Sequence, residues 1–325
     1  MTLPHLASIG FTCADLEAST RMFCEGLGFR PAGKRLELRG GPYAQLLGLA
    51  GAVIHLQRLA IGVETLELTQ IIDPGPGHRP GRPIPCTSRS NDRWFQHICL
   101  VVSDLDRALD QLRAVRPADG GDAISSAPQR LPEWNQAAAG IVAYKFRDPE
   151  GHPLELLQFP PDKGDPRWHS ARADGPVLGI DHSAIGIADT EASSRFYADL
   201  LGLRLGGDGV NYGTEQDHLD GLPGVRVRIT SYRCPEGAGI EALNYRTPVG
   251  GCPMPPDQGA QDLAHWQMRM VVANLEAIRA RVGEYGGRVL SGGIVELGDQ
   301  AELLGGHRAL QLADPDGHQL QLMEA

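Results

Sequence analysis

A phrase that occurs four times along the chain constrains its fold more than any other feature. Each copy runs from a short apolar strand into an acidic or amide residue and then into an amphipathic helix. The copies are SIGFTCADLEAS, HICLVVSDLDRA, HSAIGIADTEAS and QMRMVVANLEAI, and they begin at Ser8, His97, His182 and Gln267, which are 89, 85 and 85 residues apart. This period predicts a fold of four similar modules of about 80 residues each.

Each module also ends in a strand of one type. These closing strands read ETLELTQI, HPLELLQF, GIEALNY and HQLQLME. Their comparable positions are Glu67, Glu155, Glu241 and Gln321, which follow the module starts by 59, 58, 59 and 54 residues. We therefore predict four βαβββ modules and an α+β fold class. The helix of each module is expected to be N-capped by the polar residue that opens it, namely Asp15, Asp104, Asp189 or Asn274.

Because the open, curved sheet of one module cannot cover its own concave face, the modules are expected to pair. Segments rich in Pro and Gly separate them, and PPDKGDP near residues 160–166 is the natural boundary between two halves. We predict an N-terminal domain over 1–160 from modules one and two, a linker over 161–177, and a C-terminal domain over 178–325 from modules three and four.

Composition narrows the class of partner. The 325 residues are 42% hydrophobic and 22% charged, with a formal net charge of −10. This charge favours a small-molecule substrate and argues against nucleic acid or a membrane surface as a partner. The six cysteines show no CxxC spacing and are predicted to be free thiols. With no signal-peptide pattern and no long apolar stretch, we expect a soluble, cytoplasmic protein, either a monomer or a homodimer.

Polar residues recur on the inner face of the predicted sheets. By the two-residue period of a strand, His97 faces away from Ile98, and Glu155 faces away from its Leu neighbours. A buried carboxylate needs a cation, a hydrogen-bond donor or water. Two His and two Glu at matching repeat positions therefore favour a metal site over isolated hydrogen-bonded side chains, and imidazole with carboxylate suits Zn, Ni, Fe or Mn.

The fourfold βαβββ pattern, the strand-to-Asp-to-helix phrase, the FY…LGL helix end of module three and the DPxGHxLEL ending resemble the vicinal oxygen chelate superfamily. This superfamily includes glyoxalase I, extradiol dioxygenases, methylmalonyl-CoA epimerase and the bleomycin- and fosfomycin-resistance proteins. The resemblance covers essentially the whole chain. It implies that two modules close into an eight-stranded cup around a divalent metal, whose ligands come from the first and last strands of each module.

The choice of pairing decides which ligands meet. If modules pair in sequence order, the implied sets are Ser8, Glu67, His97 and Glu155, and His182, Glu241, Gln267 and Gln321. If modules two and three pair, one site is complete, with the ligands His97, Glu155, His182 and Glu241. Modules one and four then form a degenerate cup with Ser8, Glu67, Gln267 and Gln321. This second pairing is the hypothesis we favour. Gln267, Gln321 and Glu67 remain open as ligands of a second site, as does His265, which shares a strand face with Gln267.

Three function classes follow from the resemblance. The first is a metalloenzyme of glyoxalase or epimerase type, with Zn or Ni favoured. In it the metal polarises a carbonyl or enediolate oxygen, and Glu155 or Glu241 is the catalytic base. The second is an Fe(II) extradiol-type dioxygenase that uses two His and one carboxylate. The third is a non-enzymatic cup that binds an antibiotic, as in bleomycin resistance. Neither a dinucleotide-binding, P-loop nor nucleophile-elbow motif is found.

Secondary expectations concern residues near the predicted cups. Trp94 and Trp266 are interpreted as core aromatics or as walls of a substrate site. Residues 125–140 form either a lid over a cup or a plain surface loop. His152 and His318 follow turn glycines and are expected to face solvent.

Overall fold

The protein is described by a computed structural model that covers residues 4–115, 123–170 and 174–324. Module one contributes five strands and two helices. The strands are β1 (His5–Thr12), β2 (Arg30–Pro31), β3 (Leu36–Arg39), β4 (Val53–Ile61) and β5 (Glu64–Asp73). The helices are α1 (Leu16–Arg21), which continues as a π-helical turn over Met22–Gly26, and α2 (Gly41–Leu46).

Module two is simpler, and a short helix follows it. Its elements are β6 (Gln96–Val102), α3 (Leu105–Val115), β7 (Gln129–Arg130), β8 (Val142–Arg147) and β9 (Pro153–Gln158). Helix α4 (Arg167–Ser170) lies in the connection to module three.

Modules three and four complete the chain. Module three has β10 (Val177–Gly186), α5 (Thr190–Ser194) with a π-helical turn over Arg195–Leu200, β11 (Arg204–Tyr212), α6 (Thr214–Asp220), β12 (Arg226–Arg233) and β13 (Gly239–Thr247). Module four has β14 (Trp266–Val271), α7 (Leu275–Arg281), β15 (Arg288–Val289), β16 (Val295–Glu296), α8 (Ala301–Leu304), β17 (Arg308–Ala313) and β18 (Gln319–Glu324). The α+β class and the modular order agree with the sequence prediction.

The modules pair as two with three and as one with four. The first sheet has the order β15-β17-β18-β14-β1-β5-β4-β2, with β16 beside β17 and β3 beside β4. The second sheet has the order β11-β12-β13-β10-β6-β9-β8-β7. The first strands of paired modules meet antiparallel at the centre, and the closing strands flank them in parallel.

This pairing resolves the alternative left open by the sequence. Each sheet takes one module from each half of the chain, so the sheets do not coincide with the halves predicted at 1–160 and 178–325. Repeat similarity cannot distinguish the pairings, because all four modules share the same pattern of inner and outer residues. In the structure β10 lies beside β6, and this contact defines the pairing.

The four repeated helices begin as expected. Each predicted N-cap side chain accepts a backbone N–H of the first helical turn, which offsets the unpaired donors at the helix start. The capping residues and the N–H groups that they accept are Asp15 (Glu17 and Ala18), Asp104 (Arg107), Asp189 (Glu191 and Ala192) and Asn274 (Ala277).

The main core lies on the helix-covered faces of the two sheets. One apolar cluster joins helical residues such as Phe23, Leu109 and Ile278 to strand residues such as Ile98 and Ile180. The opposite, concave face of the first sheet is filled by α2 and α8, whose apolar side chains form a second cluster with β4. All six cysteines are free, as predicted. Within the described ranges, no helix is both long and apolar enough to cross a bilayer.

The expectation that His152 and His318 face solvent is wrong. Both are buried, with 1% and 0% exposure. The Nε2 atom of His152 lies 2.9 Å from the carbonyl oxygens of Thr12 and Leu263, and its Nδ1 atom lies 2.8 Å from Asp148 Oδ2. His318 Nε2 lies 2.6 Å from the carbonyl oxygen of Gly186. These histidines thus contact the carbonyl groups of Thr12 and Gly186, each of which lies in a strand of the other sheet.

His152 gives a stability prediction. We expect His152→Phe to lower the free energy of unfolding by about 3 kcal/mol, since it removes the ring partner of Asp148 Oδ2 and of two carbonyl groups. Urea denaturation measures this difference. The exposed His169 is the control position, and His169→Phe is expected to change stability little. Equal effects of the two substitutions would contradict the linking role of His152.

The same residue predicts a pH dependence. Burial lowers the pKa of His152, but the Asp148 carboxylate outweighs burial, and the net pKa is raised above its ordinary value of 6.5. The resulting stability is fully present below about pH 6.5 and is lost as the pH rises through the raised pKa of the folded state. Urea denaturation at a series of pH values should show this loss in the wild type and its absence in His152→Phe.

Candidate metal centre

The second sheet brings His97, Glu155, His182 and Glu241 onto neighbouring strands. In the strand order β13-β10-β6-β9, these strands carry Glu241, His182, His97 and Glu155. Side chains of a strand alternate between its two faces. Because Ile98 and Leu100 point into the main core, His97 faces the concave side of the sheet. Antiparallel pairing of β6 with β10 then places the two His-bearing strands side by side at the centre of the cup.

Two His–Glu pairs lie on opposite sides of the contact between β6 and β10. His97 Nε2 lies 3.1 Å from Glu155 Oε2, and His182 Nε2 lies 3.3 Å from Glu241 Oε2. One donor atom from each of His97, Glu155 and His182 lies within 4.8 Å of the other two, so this group could hold a metal ion. The side chains of His97, Glu155 and His182 are 2%, 8% and 5% exposed, whereas that of Glu241 is 21% exposed.

An additional carboxylate supports His182. Asp181 Oδ2 lies 2.8 Å from His182 Nδ1, and Arg233 Nη2 donates to the same oxygen at 2.8 Å. A carboxylate on the second ring nitrogen orients a histidine whose Nε2 binds metal. Sequence reasoning missed Asp181, because strict alternation points adjacent residues to opposite faces. The pairing of β10 with β6 is irregular between Ile180 and His182, and this irregularity accompanies the Asp181–His182 contact. The adjacent Asp and His in GIDHS are the only signal in the sequence.

The protonation states of His97 and Glu155 fit a divalent ion. Burial, followed by the Lys145 ammonium, lowers the pKa of His97 to about 4. Burial raises the pKa of Glu155, but Lys145 and His97 outweigh it and lower the pKa to about 2. At neutral pH these groups are therefore a neutral imidazole and a carboxylate, the forms that bind metal. Burial lowers the pKa of His182, but Glu241 and Asp181 outweigh it, and the net pKa is raised. The carboxylates of Glu241 and Asp181 thus stabilise positive charge at His182.

A cavity of about 300 Å³ opens above these residues. The stretch 125–140, predicted as a lid or a surface loop, contributes to its wall through Leu131, Asn135, Ala137 and Ala138. Asn135 Nδ2 donates to Asn211 Oδ1 at 2.7 Å, which joins this stretch to the end of β11. Trp266, by contrast, is a core residue stacked on Phe11, with its indole N–H bonded to Ser183 Oγ.

The cup of the first sheet is occupied by arginine. Arg269 Nη1 lies 2.5 Å from Glu67 Oε1, and Arg269 Nε donates to Gln321 Oε1 at 2.7 Å. Arg58 Nε donates to the same Glu67 oxygen at 2.7 Å. The guanidinium of Arg269 thus lies between the residues equivalent to the ligands of the other cup. Sequence reasoning missed Arg269, although it lies two residues after Gln267 and therefore shares its strand face.

The other candidates for a second site do not complete one. Ser8 and Gln267 are buried in the first sheet, and Gln267 Oε1 accepts from Gln311 Nε2 at 3.2 Å. His265 is buried immediately before β14, and burial lowers its pKa to about 4. Among the residues that the structure describes, the group of His97, Glu155 and His182 is the only metal-compatible cluster of His, Cys, Asp and Glu.

Comparison with known proteins gives a matching family model. The model of the Glyoxalase/Bleomycin resistance protein/Dioxygenase superfamily matches residues 2–156 and 179–322. The chain belongs to this superfamily. No curated protein matches the sequence.

Solved structures show the same superfamily fold. Glyoxalase I from Zea mays is 15% identical, with a TM-score of 0.60 over 99% of this chain and 92% of that one. A proposed dioxygenase from Bacillus subtilis is 13% identical, with a TM-score of 0.55 over 98% of this chain and 84% of that one. At such identities the likeness shows the fold and leaves the chemistry to the site residues.

We expect the two cups of this superfamily member to differ in their affinity for a metal ion. Glu155→Gln is expected to weaken Zn²⁺ binding by about 100-fold, since even the loss of a supporting partner costs about 10- to 100-fold. Calorimetric titration measures the affinity and the number of ions bound. The matched control is Glu67→Gln, which should leave one tight ion per chain. Two tight ions per chain, or unchanged affinity in Glu155→Gln, would contradict this assignment.

Arg269 yields a stability prediction for the first cup. Arg269→Met is expected to lower the free energy of unfolding by about 3 kcal/mol, because it leaves part of the charge of buried Glu67 uncompensated. Combining it with Glu67→Leu should recover much of the loss, since both buried charges are then removed. Chemical denaturation of the three proteins tests the ion pair, and an unaltered Arg269→Met stability would exclude it.

Proposed function

We propose that this protein is a metal-dependent enzyme of glyoxalase or epimerase type, which transfers a proton on a small substrate that chelates through oxygen. The observation that carries the proposal is the pair of His–Glu sets, His97 with Glu155 and His182 with Glu241, at the floor of one cavity. A bound divalent ion, with Zn or Ni favoured and Fe(II) or Mn as further candidates, would polarise a substrate carbonyl oxygen.

The two glutamates are given different roles by their surroundings. Glu155 lies opposite Lys145 in the β8–β9 pair and is nearly inaccessible, so we assign it to holding the ion. Glu241 lies opposite the neutral Ser231 in the β12–β13 pair, and its side chain is 21% exposed. In the proposed reaction, Glu241 accepts the proton from a substrate carbon, and the proton returns to the neighbouring carbon in a glyoxalase-type reaction or to the same carbon in an epimerase-type reaction.

The cavity walls support proton transfer without competing hydrolysis. Apolar side chains cover one side of the cavity, among them Leu131, Ile141, Leu157 and Phe159. Such a wall excludes water from the reacting atoms and strengthens the interactions of the charged groups below it. On the module-three side, Asp181 and Arg233 keep His182 oriented while Glu241 moves the proton.

A substitution of Glu241 tests the proposed reaction. Glu241→Gln should lower turnover by about 100-fold or more while leaving the fold intact, since the amide cannot accept the proton. NMR in D₂O would follow deuterium incorporation into hemithioacetals of 2-oxoaldehydes and into 2-methyl thioesters. The control is Glu236→Gln in the exposed loop before β13. Unchanged turnover in Glu241→Gln would remove Glu241 from the mechanism.

A second candidate function is an Fe(II) extradiol-type dioxygenase. It is favoured by one observation: the compact metal-compatible group found among the described residues consists of His97, His182 and Glu155, without Glu241. Two His and one carboxylate with open positions suit non-haem Fe(II). Oxygen uptake with catechols by the Fe(II)-loaded protein would support this candidate, and proton exchange without oxygen uptake would support the first. A cup that only binds an antibiotic does not require metal ligands. The four retained side chains therefore argue against this third function.

A further inference from the structure

Lys145 is a charged residue of the cavity that the proposed proton transfer does not use. It lies directly opposite Glu155 in the β8–β9 pair, so both side chains lie on the concave face of the second sheet. The cavity is lined by Lys145 together with His97 and Glu155. An ammonium group therefore lies beside the candidate metal centre.

The position of this ammonium is set by module three. Lys145 Nζ donates to Asp220 Oδ1 at 2.7 Å, and the two side chains are 6% and 0% exposed. The second carboxylate oxygen of Asp220 accepts a hydrogen bond from Gln216 Nε2 at 2.9 Å. The backbone carbonyl oxygen of Asp220 accepts one from Ser90 Oγ at 2.7 Å. A carboxylate at the end of α6 thus holds a lysine of β8 in a defined place.

A buried ion pair such as Lys145–Asp220 is by itself weak evidence of a stabilising role. Buried ion pairs generally contribute no more to stability than apolar side chains of similar volume. The equivalent position in the other half of the sheet, opposite Glu241, is the neutral Ser231. An ammonium has three N–H donors, and within the described residues one hydrogen bond of Lys145 Nζ is found, to Asp220. Donors of Lys145 therefore remain for a ligand in the cavity.

The other cation of the cavity is already engaged. Arg233 donates through Nη1 to the carbonyl oxygen of Asp181 at 3.0 Å and through Nη2 to its carboxylate at 2.8 Å. The wall near Lys145 is apolar. It is formed by a cluster that includes Leu131, Ile141, Ala143, Leu157 and Leu219. The part of the cavity around Lys145 thus combines a cationic donor with an apolar surface.

We propose that Lys145 binds a carboxylate of the substrate, so that the enzyme acts on small organic acids with an apolar substituent. The carboxylate lies at Lys145, the reacting oxygens lie at the His/Glu centre, and the apolar group lies against Leu131, Ile141 and Leu157. This inference rests on the proposed function for the position of the reacting oxygens. Lys145 is here a specificity-determining residue that selects a charged over a neutral substrate.

The test compares two probes that are similar in size and differ in charge. The probes are 3,4-dihydroxybenzoate and 3,4-dihydroxybenzamide, which both carry two neighbouring hydroxyl oxygens on an apolar ring, but only the first has a separate carboxylate. Calorimetry on the Zn²⁺-loaded full chain gives the ratio of their dissociation constants. Because a charge-assisted hydrogen bond is lost, we expect Lys145→Met to reduce the preference for 3,4-dihydroxybenzoate by about 10- to 100-fold. The metal's own preference remains in both proteins and cancels in the comparison.

Control variants separate a binding role from a folding defect. Lys145→Met leaves Asp220 unpaired, so the double variant Lys145→Met/Asp220→Leu removes both charges and is expected to lose the same preference. Arg58→Met changes the equivalent strand position, opposite Glu67 in the first sheet, and should keep the wild-type preference. Zinc content is measured for each protein before titration.

The possible results distinguish the two proposals. Loss of preference in both Lys145 variants, with one Zn²⁺ retained, supports the inference. An undiminished preference in a zinc-containing Lys145 variant overturns it, as does a wild-type protein that binds the two probes equally. A preference that depends on Lys145 in a protein that does not catalyse proton exchange would support the inference and reject the proposed reaction.

Discussion

The antiparallel contact between β6 and β10 is the interaction on which the site depends. It joins module two to module three and places Ala184 opposite His97 and Cys99 opposite His182. The parallel neighbours β9 and β13 then bring a glutamate to each histidine. Had the modules paired in sequence order, His97 would lie beside the strand of Ser8. One strand contact therefore brings four separated residues onto adjacent strands, with the two imidazoles at the centre and one carboxylate beside each.

The two cups illustrate two ways to compensate a buried carboxylate. In the first sheet, Glu67 is compensated by guanidinium groups of Arg58 and Arg269, and apolar side chains of α2 and α8 fill the remaining space. In the second sheet, the positions of the closing-strand carboxylates are retained, but a cavity remains above them. A side-chain cation serves the fold, whereas a site open to a divalent ion and a ligand can serve chemistry.

Much of this architecture could be predicted from the repeats. The period identified the modules, the N-caps at Asp15, Asp104, Asp189 and Asn274, and the matching positions that meet in the second cup. The pairing of modules two and three is the one that the sequence favours, since it completes one ligand set, and the structure shows it. Individual side-chain contacts between modules could not be predicted, because the repeat pattern carries no information on them. Asp181 depends on an irregular strand pairing, the tether of Lys145 depends on α6, and the burial of His152 depends on carbonyl groups of the other sheet. The predicted halves 1–160 and 178–325 describe the sequence duplication, while the sheets follow the exchange of modules.

The central claim is that one metal centre exists per chain and that the second sheet forms it. Anomalous diffraction from crystals grown with Zn²⁺ and measured on both sides of the zinc absorption edge tests this claim most directly. We expect one strong peak between His97 and His182, within coordination distance of Glu155, and no peak at Arg269. A peak beside Glu67 in the first sheet, or the absence of a peak at His97 and His182 in zinc-saturated crystals, would contradict it.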